Sequence, residues 1–329
     1  QAIVSLYALD GEPVASGSLS KKLDIEVSTA TLRNDMAALT RLGLLEQPYT
    51  SAGRVPSSAG YRYYLDFLMN AELDLNRREQ KIIDEAFEKL DYDPEHLAQG
   101  AAKALSDLLG YTVVATTPRA EDMRIAHFEL MQSGRFTVAV MAVTSAGGVK
   151  TRVAKTTAPL DANVLELLTV MLNRALCFVS SADVSEATLE GLKRSFGADA
   201  QVVLPVLQAA VSLLNDAGQP HTYLEGLQHL LVWQELTPIL PDMLEIFGDS
   251  EKTQQMIIPP TGGVTVTLGE DLPYKKLPGL AIMSQKYLAG GGRNGAIAII
   301  GPERMPYKKM VTVLEYFALK LGQIMSGNY

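Results

Sequence analysis

Apolar positions in the first seventy residues recur at helical spacing and are interrupted by caps, turns and glycines. The pattern predicts a mainly helical segment whose longest helix has Ser28 as its N-cap and Gly43 as its C′ residue. Its apolar positions are Ala30, Leu32, Met36, Leu39 and Leu42. The predicted helices are residues 1–9 stopping near Gly11, Ser18–Leu23 opened by Ser16 or Ser18, Ser28–Leu42 after a turn over residues 24–27, and a helix through Met69 capped by Ser57 or Ser58.

A short hairpin is predicted directly after the long helix. Leu44–Gln47 and Arg54–Val55 would flank it, with a loop that carries Arg54 at its tip. A glycine such as Gly53 beside an arginine suits a loop that must approach a phosphate or the minor groove. An ordinary hairpin turn is the alternative. Its position after the long helix favours the wing of a winged helix-turn-helix.

The long helix starts with small hydroxyl side chains, which would let its backbone approach the edges of bases. Arg33 can pair with guanine and Asn34 with adenine in the major groove, whereas serine and threonine are less selective. A capped amphipathic helix with an arginine also occurs in many three-helix cores, so a purely structural role is the alternative. The candidate base-reading residues are Ser28, Thr29, Thr31, Arg33 and Asn34; the candidate phosphate contacts are Lys21, Lys22, Arg41 and Arg54; and Ser51 is a further DNA-binding candidate in the wing.

Beyond residue 72, helical and alternating segments follow one another, which predicts an α+β fold of several domains. Three alternating segments separated by Ser133-Gly134 and by residues 146–148 predict an antiparallel meander: Arg124–Met131, Arg135–Thr144 and Val149–Thr156. The other predicted strands are Tyr111–Thr116, Val264–Leu268, Gly279–Tyr287 and Gly295–Ile300. The other predicted helices are a linker helix, Glu95–Leu109, Ala162–Val179, Glu186–Phe196, Gln201–Asn215 and Met305–Met325.

The segment Val164–Val179 is apolar around most of a helix. Such a helix must be buried on more than one side. It is either an internal core helix or a subunit interface, which a two-fold DNA-binding protein would need.

The composition of the chain limits the classes of protein to which it can belong. A chain of 329 residues with 47% apolar and 20% charged residues is an ordinary globular protein of two or three domains. No apolar run reaches the roughly 18 residues needed to span a bilayer, and the first residues lack the features of a signal peptide. The single cysteine, Cys177, excludes a disulfide framework and fits a reducing cytosol.

The charge balance argues against a generic nucleic-acid binder, since the chain carries a net charge of −8. Residues 1–70 hold six Lys/Arg and seven Asp/Glu, so even the predicted DNA-binding segment is not basic overall. Any affinity for DNA must come from a few well-placed residues.

The other motifs in the sequence do not indicate a phosphate-binding, metal-binding or catalytic site. Gly290–Gly295 lacks the Lys-Ser/Thr of a phosphate-binding loop and lies between two predicted strands, which favours a hairpin turn. The four histidines are scattered and none has a second His or Cys at ligand spacing. No nucleophile elbow or catalytic triad can be picked out. We therefore expect no metal, no cofactor and no enzymatic activity.

Several motifs at both ends of the chain match one known family. They are Gly11–Val14, Val27–Met36, Leu42–Pro48, Thr50–Pro56, Gly60–Tyr64, and Gly295–Met305 with Tyr307. On these residues the chain resembles the HrcA family of bacterial heat-inducible transcription repressors. Residues 120–250 match only in their order of strands and helices. One departure is Leu268-Gly-Glu-Asp271, where the family more often has Gly-x-Glu-Asn, and it puts a local turn in doubt.

The resemblance implies a winged helix, a GAF-like α/β domain and a dimerising domain inserted into it. The GAF-like domain would be built from residues 90–119 and 218–329. The expected layout is residues 1–72 for DNA binding, 73–119 for a linker helix and the first part of the GAF-like domain, 120–217 for the dimerising domain, and 218–329 for the rest of the GAF-like domain.

The resemblance also implies a cytoplasmic homodimer that represses chaperone operons of the GroE and DnaK groups at an inverted-repeat operator. The GroEL chaperonin would support its activity. Two alternatives stay open: a metabolite-sensing regulator acting through the GAF-like domain, and an enzyme with an accessory DNA-binding domain. The absence of an acid/base or metal constellation counts against the enzyme.

Overall fold

The computed structural model describes the chain except for residues 24–26, 70–74, 91–93, 119–122, 146, 181–182, 185, 261, 274–275, 291–292 and 328–329, together with the side chains of residues 94 and 95. The predicted turn over residues 24–27 therefore lies mostly outside the described residues.

The chain forms two compact units. The first combines Gln1–Pro118 with His221–Tyr329, and the second is Arg119–Pro220, called the insert below. Within the first unit, residues 1–69 are called the head and the remainder the body. The finer assignment of these parts to DNA-binding, GAF-like and dimerising domains stays a prediction.

The head is a small helical bundle closed by a two-stranded hairpin. Its elements are α1 (Ala2–Asp10), α2 (Ser16–Lys22), α3 (Thr29–Arg41), β1 (Leu45–Glu46), β2 (Val55–Pro56) and α4 (Ser58–Tyr63), which continues as a π-helical turn over Tyr64–Leu68. Its small core consists of Ile3, Val14, Leu19, Leu32, Met36 and Leu45. The four predicted helices and the hairpin are confirmed.

Details of the helix ends differ from the prediction. Ser16 is the first helical residue of α2 rather than its cap, because Ala15 takes the N-cap position without a side-chain hydrogen bond. In α3 only Leu32 and Met36 are buried, while Ala30 and Leu42 are exposed. At 100° per residue, Ala30 lies about 200° around the helix from Leu32 and so falls outside the buried stripe.

The body is built on a five-stranded antiparallel sheet with the order β7-β3-β10-β9-β8. The strands are β3 (Thr112–Thr116), β7 (Thr222–Glu225), β8 (Thr265–Leu268), β9 (Leu280–Ala289) and β10 (Arg293–Pro302). The helices are α5 (Arg77–Phe87), α6 (Pro94–Leu109), α10 (Leu240–Phe247), α11 (Ser250–Ile257) and α12 (Tyr307–Met325). Short 3₁₀ turns cover Leu227–Val232, Gln234–Ile239 and Gly269–Asp271.

Helices cover both faces of this sheet, so alternate residues of one strand enter two different cores. Ile297 and Ile299 of β10 face α6 and α12, whereas Ala298 and Ile300 face α10 and α11. A strand buried on both sides has a nearly continuous apolar sequence. β9 and β10 are joined where Gly290–Gly295 predicted a hairpin, with Arg293 paired to Ala289; residues 291 and 292 of that turn lie outside the described residues.

The strand β7 and the helices α10 and α11 were not predicted. β7 pairs with β3, its four residues are half-buried, and it gives no clear apolar alternation. Just beyond this pairing, Thr117 N donates to His221 O at 2.9 Å and His221 N donates to Thr117 Oγ1 at 2.8 Å. The first and second segments of the body are thus tied together at the point where the insert begins and ends.

The insert contains the predicted three-stranded meander, β4 (Ile125–Gly134), β5 (Thr137–Thr144) and β6 (Val149–Lys155), paired in the order β4-β5-β6. The first turn lies at Arg135-Phe136, two residues later than predicted. Gly134 instead pairs with Thr137 beside a register shift, a bulge position that tolerates glycine. The helices are α7 (Ala162–Leu176), α8 (Glu186–Arg194) and α9 (Ala200–Ala217), with a 3₁₀ turn over Gly197–Asp199.

The burial of two helices of the insert differs from what their apolar sequences suggest. α7 is buried on one face only, through Leu168, Leu172 and Leu176, while Leu167 and Val170 are 50% and 59% exposed. The segment Gly197–Ala217 is long and apolar enough to cross a membrane by length and composition. Because seven residues of α9 are buried within the fold, we interpret it as a core helix of the insert.

The face of the insert sheet that points away from α7 and α9 is open and carries exposed apolar side chains beside polar ones such as the paired His127 and Glu129. The core side of β5 carries Val138, Val140 and Ala142. Strand alternation and the pairing of Met131 with Ala139, and of Ala139 with Val153, place these three residues on the opposite side. The exposed apolar side chains there include Met131 (56%), Val149 (58%) and Val153 (65%).

Candidate nucleic-acid interface

The start of α3 is organised by a hydroxyl cap. Ser28 Oγ accepts a hydrogen bond from Thr31 N at 3.1 Å and lies 2.8 Å from Thr31 Oγ1. The prediction of Ser28 as N-cap is confirmed. Both hydroxyls remain exposed, but their mutual hydrogen bond makes them primarily a brace for the first turn of the helix.

The remaining predicted base-reading side chains extend from the exposed face of α3. Leu32 and Met36 anchor the helix in the head core, which leaves Thr29, Arg33 and Asn34 exposed. With other described residues these three side chains form no hydrogen bond or ion pair. Exposed polar side chains without such partners are available to a ligand, and major-groove contacts require side chains of this kind.

Exposed cations lie at the ends of the neighbouring helices. Lys21 and Lys22 occupy the last turn of α2, and Arg41 occupies the last turn of α3. α2 packs against α3, so the three cations and the exposed face of α3 belong to one small bundle. Lysine and arginine at such flanking positions suit phosphate contacts, which fix the register of a protein on DNA.

Arg54 does not lie at the tip of the wing as predicted. It is half-buried just before β2, where its backbone pairs with Val14 through two hydrogen bonds of 2.9 Å. Its Nε donates to Thr40 Oγ1 at 3.0 Å. A Cβ on Gly53 would lie 2.3 Å from Val14 O, so only glycine fits where the wing returns against this segment. Arg54 therefore fixes the base of the wing to α3.

The tip of the wing is formed by the residues before Gly53. Gln47 Nε2 donates to Thr50 O at 2.8 Å and to Ala52 O at 3.2 Å, which holds the loop in shape. Ser51 is exposed, as is Tyr49 with 60% of its surface accessible. The sequence interpretation missed both Gln47 and Tyr49. A glutamine six residues before a glycine gives no specific signal.

A third group of residues holds the start of α4 against the turn between α3 and β1. Ser57 Oγ donates to Gly43 O at 2.5 Å and accepts from Gly60 N at 3.0 Å, so it caps α4 and fixes the end of α3 together. A Cβ on Gly60 would lie 2.0 Å from Leu44 O. Ser57 and Gly60 thus set the geometry of the head without touching its exposed face.

The head and the body also enclose an open cleft of about 280 Å³. Its walls combine apolar side chains with Arg62 and Asp66 of the head, and Arg62 also forms an ion pair with Asp271. The apolar lining residues are Leu65, Met69, Pro260, Val264, Val266 and Leu268. Among the described residues, no group of three or more His, Cys, Asp and Glu is placed to hold a metal ion.

A matching family model and two relatives of this chain all carry the name HrcA. A family model described as the HrcA protein C terminal domain matches residues 95–311. A protein of Carboxydothermus hydrogenoformans named heat-inducible transcription repressor HrcA is 32% identical over 99% of this chain and 96% of its own length. A protein of the same name from Lysinibacillus sphaericus is 31% identical over 100% of this chain and 96% of its own length.

One solved structure shares the fold along the whole chain. It belongs to a protein described as hypothetical, is 26% identical in sequence and superimposes with a TM-score of 0.59. The match covers 100% of this chain and 96% of the other.

Proposed function

We propose that this chain, which belongs to the HrcA family of heat-inducible transcription repressors, binds an inverted-repeat operator as a homodimer. The family consists of transcription repressors and not of enzymes. The observation that carries the proposal is the exposed face of α3, where Thr29, Arg33 and Asn34 stand beside a braced wing. Such a helix fits the major groove and such a hairpin lies along the backbone.

The proposed DNA-contacting residues, called the reading set, are all those singled out in the sequence. The contacts that each residue makes in the structure decide its proposed role. Thr29, Arg33 and Asn34 contact base edges, and Ser28 and Thr31 brace the first turn while remaining close to the DNA. Lys21, Lys22 and Arg41 contact phosphates, and Ser51 lies at the wing tip. Arg54 positions the wing from its base, with its guanidinium partly used by Thr40.

The homodimer is supported by the exposed apolar side chains on the open face of the insert sheet. Exposed patches of this kind mark interaction surfaces on soluble proteins. A two-fold dimer needs one self-complementary patch per subunit, and its symmetry matches that of an inverted repeat. The exposed side of α7, with Leu167 and Val170, is the second surface that could contribute.

The control of chaperone operons and the support by GroEL rest on the family resemblance. On this proposal the repressor acts in the cytoplasm, GroEL keeps it active, and misfolded protein draws GroEL away during heat shock. A mobility-shift assay on an inverted-repeat operator, with and without GroEL, tests both parts. Specific binding that GroEL strengthens supports them, whereas no sequence preference under either condition contradicts them.

A metabolite-sensing regulator is the second candidate, favoured by the cleft between head and body. Apolar side chains line its walls, and Asp66 and Arg62, the latter paired with Asp271, provide polar groups. Calorimetry against a metabolite library, with operator binding as the readout, separates this candidate from chaperonin control.

A further inference from the structure

An acidic and a basic residue that are adjacent in the body sequence contact the head at two separate points. The segment that follows β10 carries Glu303 and Arg304, and it lies beside α1 and α4 of the head. Ser58 Oγ, at the start of α4, donates to both carboxylate oxygens of Glu303 at 3.2 and 3.3 Å. The guanidinium of Arg304 lies against Gly11, which ends α1.

Arg304 is held firmly from the body side. Its Nε donates to Glu235 Oε1 at 2.5 Å, and its guanidinium carbon lies 4.7 Å from the ring centre of Trp233. Only 20% of its side chain is exposed. This ion pair and this cation–π contact, both with residues of the body, orient the guanidinium without any contribution from the head.

Gly11 is matched to that guanidinium. It has a φ of +69°, which ends α1 in the left-handed conformation. A Cβ added there would lie 2.9 Å from the guanidinium carbon of Arg304. Gly11 therefore serves both as the end of a helix and as the surface on which Arg304 rests.

An aromatic layer lies behind these polar contacts. Tyr61 and Tyr64 of the head are 2% and 3% exposed, and their ring centres lie 6.1 and 6.4 Å from that of Tyr307. Tyr307 Oη donates to Glu303 O at 2.6 Å. The same three rings belong to the large body core, so head and body share one apolar layer.

The exposed face of α3 takes no part in this contact. In the described portion of the chain, the side-chain bonds and core contacts of α3 are with other residues of the head. The head is held through α1 and α4, which leaves the candidate reading face uncovered.

We propose that Glu303 and Arg304 form a latch that fixes the orientation of the head on the body and so sets the spacing of the two reading helices in the dimer. Glu303 and Arg304 are positioning residues that act through Ser58 and Gly11. This inference rests on the proposed function. An inverted repeat demands two heads at a defined separation, about 34–36 Å for half-sites one turn apart. A head that pivots freely would lower the effective concentration of the second head at its half-site, which would weaken binding to the full repeat.

The latch is tested in the full-length dimer with Ser58→Ala and Arg304→Lys. Ser58 is not the N-cap of α4, since Ser57 fills that role, so its removal leaves the helix capped. Ser250→Ala is a matched control, because Ser250 is likewise the first residue of a helix whose preceding residue, Asp249, is the cap. Fluorescence anisotropy gives the affinity for three duplexes: the inverted repeat, a repeat lengthened by about five base pairs or half a turn, and a single half-site.

Both latch variants should lose about tenfold or more in affinity for the inverted repeat, while half-site affinity stays within about twofold. They should also lose their preference for the natural spacing, whereas Ser250→Ala keeps it. The latch is overturned if both variants retain the spacing preference, or if half-site and full-site affinities fall together with the folded fraction. A wild-type protein that does not prefer the inverted repeat to the half-site contradicts the proposed function instead.

Discussion

The side chain of Arg54 and the hydroxyl of Thr40 lie 3.0 Å apart, and their hydrogen bond joins the base of the wing to α3. The same hydroxyl donates to Met36 O at 2.8 Å, so Thr40 bridges the helix and the wing. Helix and wing are therefore joined, and a change in this partly buried bridge should alter the position of the wing relative to the exposed face of α3.

Thr40→Val keeps the shape of the side chain and removes this bridge. The substitution removes two partly buried hydrogen bonds and should lower the free energy of unfolding by about 1–3 kcal/mol. Denaturant unfolding measures this directly, and operator affinity should fall as well because the wing loses its anchor. An unchanged unfolding midpoint together with unchanged affinity would show that Arg54 is held by its backbone alone.

Arg33→Ala should weaken operator binding by about 1–3 kcal/mol and relax sequence preference at one base position. The reason is the loss of a side chain that can form two hydrogen bonds with guanine. Binding to a panel of operators with single base changes measures both effects. Arg78→Ala, which removes an exposed arginine from α5, is the control for lost charge. Equal losses in the two variants would remove Arg33 from the reading set.

Gly60→Ala should destabilise the head by about 1–3 kcal/mol, because the added Cβ would lie 2.0 Å from Leu44 O. Gly17→Ala is the matched control, since a Cβ at this helical position meets nothing within 4 Å. The control should gain stability by up to about 1 kcal/mol from helix propensity. Thermal unfolding with operator binding as a second readout compares them; similar behaviour of the two variants would contradict the close approach at Gly60.

Burial raises the pKa of the Glu303 carboxyl above its ordinary value of 4.5, and the hydrogen bond from Ser58 offsets this only in part. Ionisation of Glu303 is therefore less favourable in the folded protein than in the unfolded chain, so stability is lost as pH rises from the ordinary value through the raised one. The unfolding free energy of wild type minus that of Glu303→Gln should be larger near about pH 4 than near about pH 7. A difference that is constant or grows with pH would contradict this assignment.

Val153→Asp places a carboxylate in the middle of the open face of the insert sheet, where Val153 is 65% exposed. If this face is the dimer interface, burying an unpaired charge there should raise the dimer dissociation constant strongly. Analytical ultracentrifugation measures it. Val232→Asp is the control, because Val232 lies in the body and is similarly exposed, at 72%. A dimer that both variants leave intact would place the interface elsewhere, with α7 as the next surface to test.

Local signals in the sequence were sufficient for most elements of the fold. Ser28 with its downstream apolar stripe predicted α3, and the apolar run Gly295–Ile300 predicted the strand β10, which the structure shows to be buried on both faces. Such patterns are set by helix and strand periodicity, which acts within a few residues. β7 was missed because its residues are half-buried at the edge of the sheet and give no alternation.

The position of Arg54 could not be predicted because it depends on a distant partner. Its backbone pairs with Val14, forty residues earlier, which draws the arginine from the tip of the wing to its base. The roles of Gly11 and Arg304 were hidden for the same reason. Each belongs to a motif that supported the family resemblance, but only the folded chain brings the two ends together.

The two strands β3 and β7 are neighbours in the sheet, and Thr117 and His221 are bonded to each other just beyond them. In effect they form a hairpin whose connecting loop has been replaced by a complete folded unit. The body's sheet is thus already closed at this seam, so a tight turn grafted between Pro118 and His221 would preserve its pairing. The insert is therefore a modular addition at that point, because the strand pairs and hydrogen bonds that close the seam join residues of the body.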